Sequence, residues 1–153
     1  MNIVAFLQNP GFKPGTPMTI VDKYKSQQQF HRELLETTMS GARLKVAFGE
    51  YWFNRIWWDN ANPNIPTYGM ERLDPDILHI EKVIADQKPK LVLTFGKQAE
   101  RGVSSSIAAI ALKVMSCHHP NARFRTQSDL DQFAQDVIQY VIVKEQQEVR
   151  DES

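Results

Sequence analysis

Short apolar runs alternate along this chain with longer stretches in which apolar residues recur every three or four positions. Ile3-Val4-Ala5-Phe6-Leu7 is continuous and rich in strand formers, and it stops at Asn9-Pro10-Gly11, whose proline and glycine cannot extend a central strand. It reads as a buried parallel strand feeding a loop, which Pro14, Gly15 and Pro17 carry on toward Thr19. Phe30, Leu34 and Leu35, set among Gln28, Arg32 and Glu36, predict a helix over 26–38 that Ser40-Gly41 closes. Arg55-Ile56-Trp57-Trp58 predicts a second strand, ended by the polar run Asp59-Asn60-Ala61-Asn62-Pro63.

Beyond it, Asp74-Pro75 has the form of an N-cap followed by a first-turn proline, and Ile77, Ile80, Val83 and Ile84 mark one face of a helix reaching Gln87. Leu91-Val92-Leu93-Thr94-Phe95 is the clearest strand, with Gly96 allowing a tight turn into a helix that starts near Lys97. Lys113-Val114-Met115-Ser116-Cys117 is the fourth strand and runs into His118-His119-Pro120-Asn121. Ser128 and Asp131 then have capping-box spacing, and Leu130, Phe133, Ala134, Val137, Ile138 and Val141 form the buried stripe of a last helix.

Strands alternating with helices predict a three-layer α/β/α fold around a central, four-stranded, mostly parallel sheet. In such sheets ligands bind beyond the carboxyl ends of the strands, so the polar strand ends are the expected site. The length of 153 residues suits one domain, read here as 1–143, with the polar segment 144–153 expected as a frayed tail.

Charge and cysteine usage narrow the chemistry. Lys and Arg total 18 against 18 Asp and Glu, so attraction to nucleic acid has to come from a local basic groove, not from net charge. One cysteine, Cys117, can form no internal disulfide and no cysteine-rich metal site. Consecutive residues of an extended chain point in opposite directions, which also argues against Cys117-His118-His119 sharing an ion. The expectation is a cytoplasmic monomer without metal, cofactor or membrane span.

Gln8-Asn9-Pro10-Gly11 resembles the first motif of uracil-DNA glycosylases, in the form carried by the mismatch-specific and single-strand-selective branches. His119-Pro120-Asn121-Ala122-Arg123 is similar to the second motif of that superfamily, also placed after the last strand and before the final helix. Between them, Trp58-Asp59-Asn60-Ala61-Asn62-Pro63 is similar to the strand end that carries a base-reading asparagine, and the segment from Lys88 to Ala99 resembles another shared stretch. The sequence departs from the pattern at Leu7, where glycine is usual, at Met18, near the place of a base-stacking phenylalanine, and at Asn121, where serine is usual.

The resemblance implies a monofunctional glycosylase that hydrolyses the N-glycosidic bond of uracil or a related pyrimidine flipped out of single- or double-stranded DNA. Asn9 would hold the attacking water, and His119 would stabilise charge on the departing base. Gln8, Pro10, Gly11, Phe12, Met18 and Asn60 would bind the base, while Lys97, Asn121, Arg123, Phe124 and Arg125 would grip DNA. Plainer roles stay open: Asn9 and His119 as turn residues, Asn60 as a cap, and Phe12 and Met18 as packing. The alternative function is a weak or inactive nucleic-acid- or base-binding protein of the same fold.

Overall fold

The computed structural model describes residues 1–11, 15–26, 31–65, 73–122 and 125–152. Four strands form one sheet: β1 (Ile3–Leu7), β2 (Trp57–Asn60), β3 (Leu91–Phe95) and β4 (Lys113–Cys117). Their spatial order is β2-β1-β3-β4, and every pairing is parallel. The helices are α1 (Met18–Ser26), α2 (His31–Leu35), α3 (Met39–Arg55), α4 (Ile77–Gln87), α5 (Lys97–Ser104) and α6 (Gln127–Glu152).

The continuous apolar runs of β1 and β3 follow from burial on both faces. Ile3, Ala5, Leu7, Leu91, Leu93 and Phe95 point to one side, against Leu44, Phe48 and Phe53 of α3 and Leu130, Ala134, Val137 and Val141 of α6. Val4, Phe6 and Val92 point to the other, against Ile80, Val83 and Ile84 of α4 and Ala99 and Val103 of α5. Each such side chain, taken wholly from water, contributes about 1.5–3 kcal/mol, so the two apolar layers hold the sheet between its helices. This is the three-layer arrangement the alternation of elements predicts.

The first half of the chain departs from expectation. The helix expected over 26–38 is instead the end of α1 at Ser26 and the short α2, with 27–30 outside the described residues, and Glu36 to Thr38 form a turn. Ser40-Gly41 does not stop a helix; it lies in the first turn of α3, which Thr38 caps by accepting from the Gly41 N–H at 3.0 Å. Glycine stands there because a Cβ would meet the Leu35 carbonyl oxygen at 1.8 Å, a close approach of two chain segments that resembles a stop signal in sequence. Helix α3 was hidden by that glycine and by Gly49, where a φ of 79° kinks it.

Because α3 runs through Arg55, β2 starts at Trp57 and ends at Asn60, two residues later than the aromatic run predicts. Asp76, not Asp74, caps α4, accepting from the His79 N–H at 3.1 Å. The cap of α6 is Thr126 with Asp129, each bonding the backbone N–H of the other, two residues before the expected pair. No loose tail begins at residue 144: α6 continues to Glu152, and Glu145 and Glu148 bind Arg55 and Lys90, which hold this end of the helix against the body.

Candidate functional site

Parallel strands bring their carboxyl ends to one edge of the sheet, and four polar segments meet there. Asn9 lies two residues past β1, Asn60 ends β2, Gly96 follows β3, and His119 lies two residues past β4. The Leu7 carbonyl accepts from Ala61 N–H at 2.7 Å and the Gln8 carbonyl from Asn62 N–H at 3.0 Å, which places Gln8-Asn9 beside the end of β2. Gly96 N–H donates to the Cys117 carbonyl at 2.8 Å, tying the β3 turn to the start of the histidine segment. Asn9 and His119, both half-buried, therefore stand over strands two places apart, a separation of about 10 Å at the usual strand spacing.

Gly96 lies between them. Its φ of 96° is open to glycine and strained for other residues, and a Cβ there would lie 3.4 Å from His119 Cβ. His119 thus rests against the backbone of the β3 turn.

His119-Pro120-Asn121-Ala122 is a turn closed by Ala122 N–H to the His119 carbonyl at 2.9 Å, with proline at its second position. Asn121 N–H donates to His119 Nδ1 at 3.1 Å. An accepting Nδ1 leaves the proton of the neutral ring on Nε2, so Nε2 is the donor. Helix α3 braces the turn: Arg43 donates to the Pro120 carbonyl at 2.8 Å, and Asn121 Nδ2 donates to Ser40 Oγ at 2.9 Å. Gln127 Nε2 in turn donates to the Arg43 carbonyl at 3.0 Å.

At the other end of the row, Asn60 Nδ2 donates to the Tyr24 hydroxyl at 3.3 Å, and Asn60 N–H donates to Asp59 Oδ1 at 2.8 Å. Asp59 is a buried carboxylate, 2 % exposed. His79 Nε2 lies 2.9 Å from its Oδ1, His31 Nδ1 3.3 Å from the same oxygen, and Trp57 Nε1 donates to Oδ2 at 3.3 Å. Burial alone would raise the Asp59 pKa, but the contacts with His31 and His79 outweigh it and hold the carboxyl well below its ordinary range. The 3.3 Å approach of His31 is an electrostatic contact and not an aligned hydrogen bond, since neither ring nitrogen has a hydrogen-bond partner among the described residues.

The other expected site residues divide. Pro10 is buried, Gly11 is exposed, and Gln8 has a buried Nε2 without a partner among the described residues. Met18 opens α1 and is 64 % exposed, with most of its side chain facing solvent. Lys97 is exposed in the first turn of α5, and Arg125 is exposed before α6. Phe12, Arg123 and Phe124 lie outside the described residues. Asn121 spends one hydrogen of its amide nitrogen on Ser40 at 2.9 Å, and the same nitrogen carries a second. Arg101 pairs with Asp74 at 2.8 Å. Trp58 is core, 2 % exposed, with its indole N–H on the Phe53 carbonyl.

Sequence reasoning missed Tyr24, His31, Ser40, Arg43, His79 and Gln127, all of which hold the strand-end loops. Asp59 carried a signal, a charge directly after the tryptophan pair, but its histidine partners come from helices far away in sequence. Among the described residues no group of three metal-binding side chains comes together, and no helix is long and apolar enough to cross a membrane. A cavity of about 330 Å³ opens at the opposite end of the strands, beside Asn2, Arg32, Asn54 and Trp57, away from the four converging segments. The chain matches no family model, and no curated protein matches it.

Proposed function

We propose that the protein is a monofunctional DNA glycosylase related to uracil-DNA glycosylases, hydrolysing the N-glycosidic bond of uracil or a related pyrimidine in DNA. The observation that carries this reading is the position of Asn9 and His119 beyond the same sheet edge, over strands on either side of the one that ends at Gly96, with Nε2 the donor nitrogen of the neutral His119 ring.

Breaking the bond builds positive charge on the sugar and negative charge on the leaving base. A donor aimed at the base oxygen stabilises the second charge, and neutral imidazole is sufficient. The Asn9 carbonyl orients a water toward the sugar, which needs little activation when the sugar is already cationic. No lysine lies in either motif, so the product is an abasic site without strand cleavage through a Schiff base. Lys97 and Arg125 are the exposed cations near this edge that supply phosphate contacts.

Incubation of excess protein with single- and double-stranded oligonucleotides carrying one deoxyuridine tests the reading. Abasic sites that disappear in Asn9→Ala and His119→Ala support it. DNA binding without any base release would leave the alternative, a binding protein of the same fold.

A further inference from the structure

The cavity at the amino ends of the strands has no part in base excision. Asn2 lines it before β1, Asn54 at the end of α3, Gln87 at the end of α4, and Arg32 from α2. Its volume of about 330 Å³ falls at the lower end of the range usual for small-molecule sites, about 300–1,000 Å³.

The charges around it do not balance. Glu33 pairs with Lys23 at 2.8 Å, and Arg55 pairs with Glu145. Arg32 is left without a carboxylate partner among the described residues. Its Nη1 makes one long bond, 3.5 Å, to the Asn54 carbonyl. Its Nε is buried with no acceptor, and Nη2 has none either among the described residues. Nε and Nη2 share one edge of the guanidinium, the edge that holds two oxygens of a carboxylate or phosphate side by side.

Two helices end at this cavity, and the last carbonyls of a helix carry partial negative charge that would attract such an edge. Those carbonyls have other donors. In α3 the Trp52 carbonyl takes the Ile56 N–H and the Phe53 carbonyl the indole N–H of Trp58; in α4 the Ile84 carbonyl takes the Lys88 N–H and the Gln87 carbonyl takes Asn2 Nδ2. The side-chain amides of Asn54 and Gln87 bond to no protein group among the described residues, and each offers a donor and an acceptor to hydroxyl groups. Trp57 is half-buried on the same lining, and its indole N–H is spent on Asp59 at 3.3 Å, so its ring contributes apolar surface.

We propose that this cavity is a second ligand site, separate from the strand-end loops, that takes a phosphorylated pentose, free or within a mononucleotide. The phosphate lies on the Nε–Nη2 edge of Arg32, the hydroxyls meet Asn54 and Gln87, and the ring of the ligand lies against Trp57. Nη2 makes the first contact, and a small shift of the Arg32 side chain brings the covered Nε to a second oxygen. The site does not depend on the base-excision reading of Asn9 and His119.

The full chain is titrated with ribose 5-phosphate, adenosine 5′-monophosphate, inorganic phosphate and ribose, followed by amide-detected NMR. At least one of the two sugar phosphates is expected to bind saturably and to shift the Arg32, Asn54 and Trp57 signals, leaving those of Gly96 and Asn121 in place; which of the two binds more tightly tells a free sugar phosphate from a mononucleotide. Arg32→Lys keeps the charge but not the fork, and should weaken that binding by about tenfold or more. Arg32→Gln should abolish it. Affinity retained in Arg32→Gln, shifts confined to the strand-end loops, inorganic phosphate bound as tightly as either sugar phosphate, or no binding of either overturns the inference. If the Arg32 variants fail to fold, Asn54→Ala and Gln87→Ala take their place. They must then weaken the sugar phosphate and spare inorganic phosphate, and an unchanged sugar phosphate affinity overturns the inference.

Discussion

The backbone N–H of Asn121 donates to Nδ1 of His119 at 3.1 Å, so a residue two positions along the chain sets the tautomer of the imidazole. The bond is local, but it is held in place from a distance, through Ser40 and Arg43 of α3.

If His119 Nε2 stabilises the leaving base, His119→Ala should lower single-turnover release about 100- to 1,000-fold, the size of one lost anion-stabilising donor. Asn9→Ala should act on the same step, with DNA affinity nearly unchanged in both. Gel-shift titrations beside the kinetics check this, and parallel losses of affinity and turnover would contradict the assigned roles.

Gly96→Ala introduces a side chain at a φ of 96° and against His119 Cβ. The strain should cost about 1–3 kcal/mol, read by urea denaturation. The added Cβ would make only an ordinary contact with His119, so the loss should fall on stability through the backbone conformation. A variant as stable as the wild type would show that the β3 turn does not need glycine.

Asp59 is ionised more readily in the folded chain than in the unfolded one. Its contribution is therefore complete above the unfolded carboxylate pKa, near 4, and drains away as pH falls toward the depressed folded value. Asp59→Ala strands two histidines and should cost about 3–5 kcal/mol at pH 7, with the gap to the wild type narrowing below about pH 4. Denaturation curves at several pH values measure it; a gap independent of pH would refute the coupling.

Burial pushes the Cys117 thiol up to about 11. Near neutral pH its thiolate fraction is then roughly a hundredth of that of an ordinary thiol, and alkylation should be slower in proportion. The rate should climb steeply between about pH 9 and 11, following the thiolate. Mass spectrometry after timed exposure to iodoacetamide gives the profile, and fast labelling at pH 7 would disprove the burial effect.

Legibility in the sequence followed the range of the forces involved. β1 and β3 were readable to the residue because central strands covered on both faces are apolar without interruption, and the edge strand β4 was readable because its strand formers stop at the His118-His119-Pro120 turn. The helices around Ile80 and Val137 were readable because their buried positions recur at helical spacing. Helix α3 was not, since Gly41 and Gly49 serve a close approach to Leu35 and a kink, and both look like breakers when neighbours in space are unknown. The helical end of α6 was unreadable for a related reason: its polar residues find partners in Arg55 and Lys90, far off in sequence.

The sequence by itself determined a parallel sheet between two helical layers, and with it the gathering of Asn9, Asn60, Gly96 and His119 at one edge, because hydrophobic periodicity and chain direction are local properties. Tertiary structure alone decided which proton His119 carries, which partner meets the Asn60 amide, and that Asp59 stays charged inside the protein. Those outcomes depend on hydrogen bonds and charges from Tyr24, His31, Ser40, Arg43 and His79, whose reach is a few ångströms in space and tens of residues along the chain.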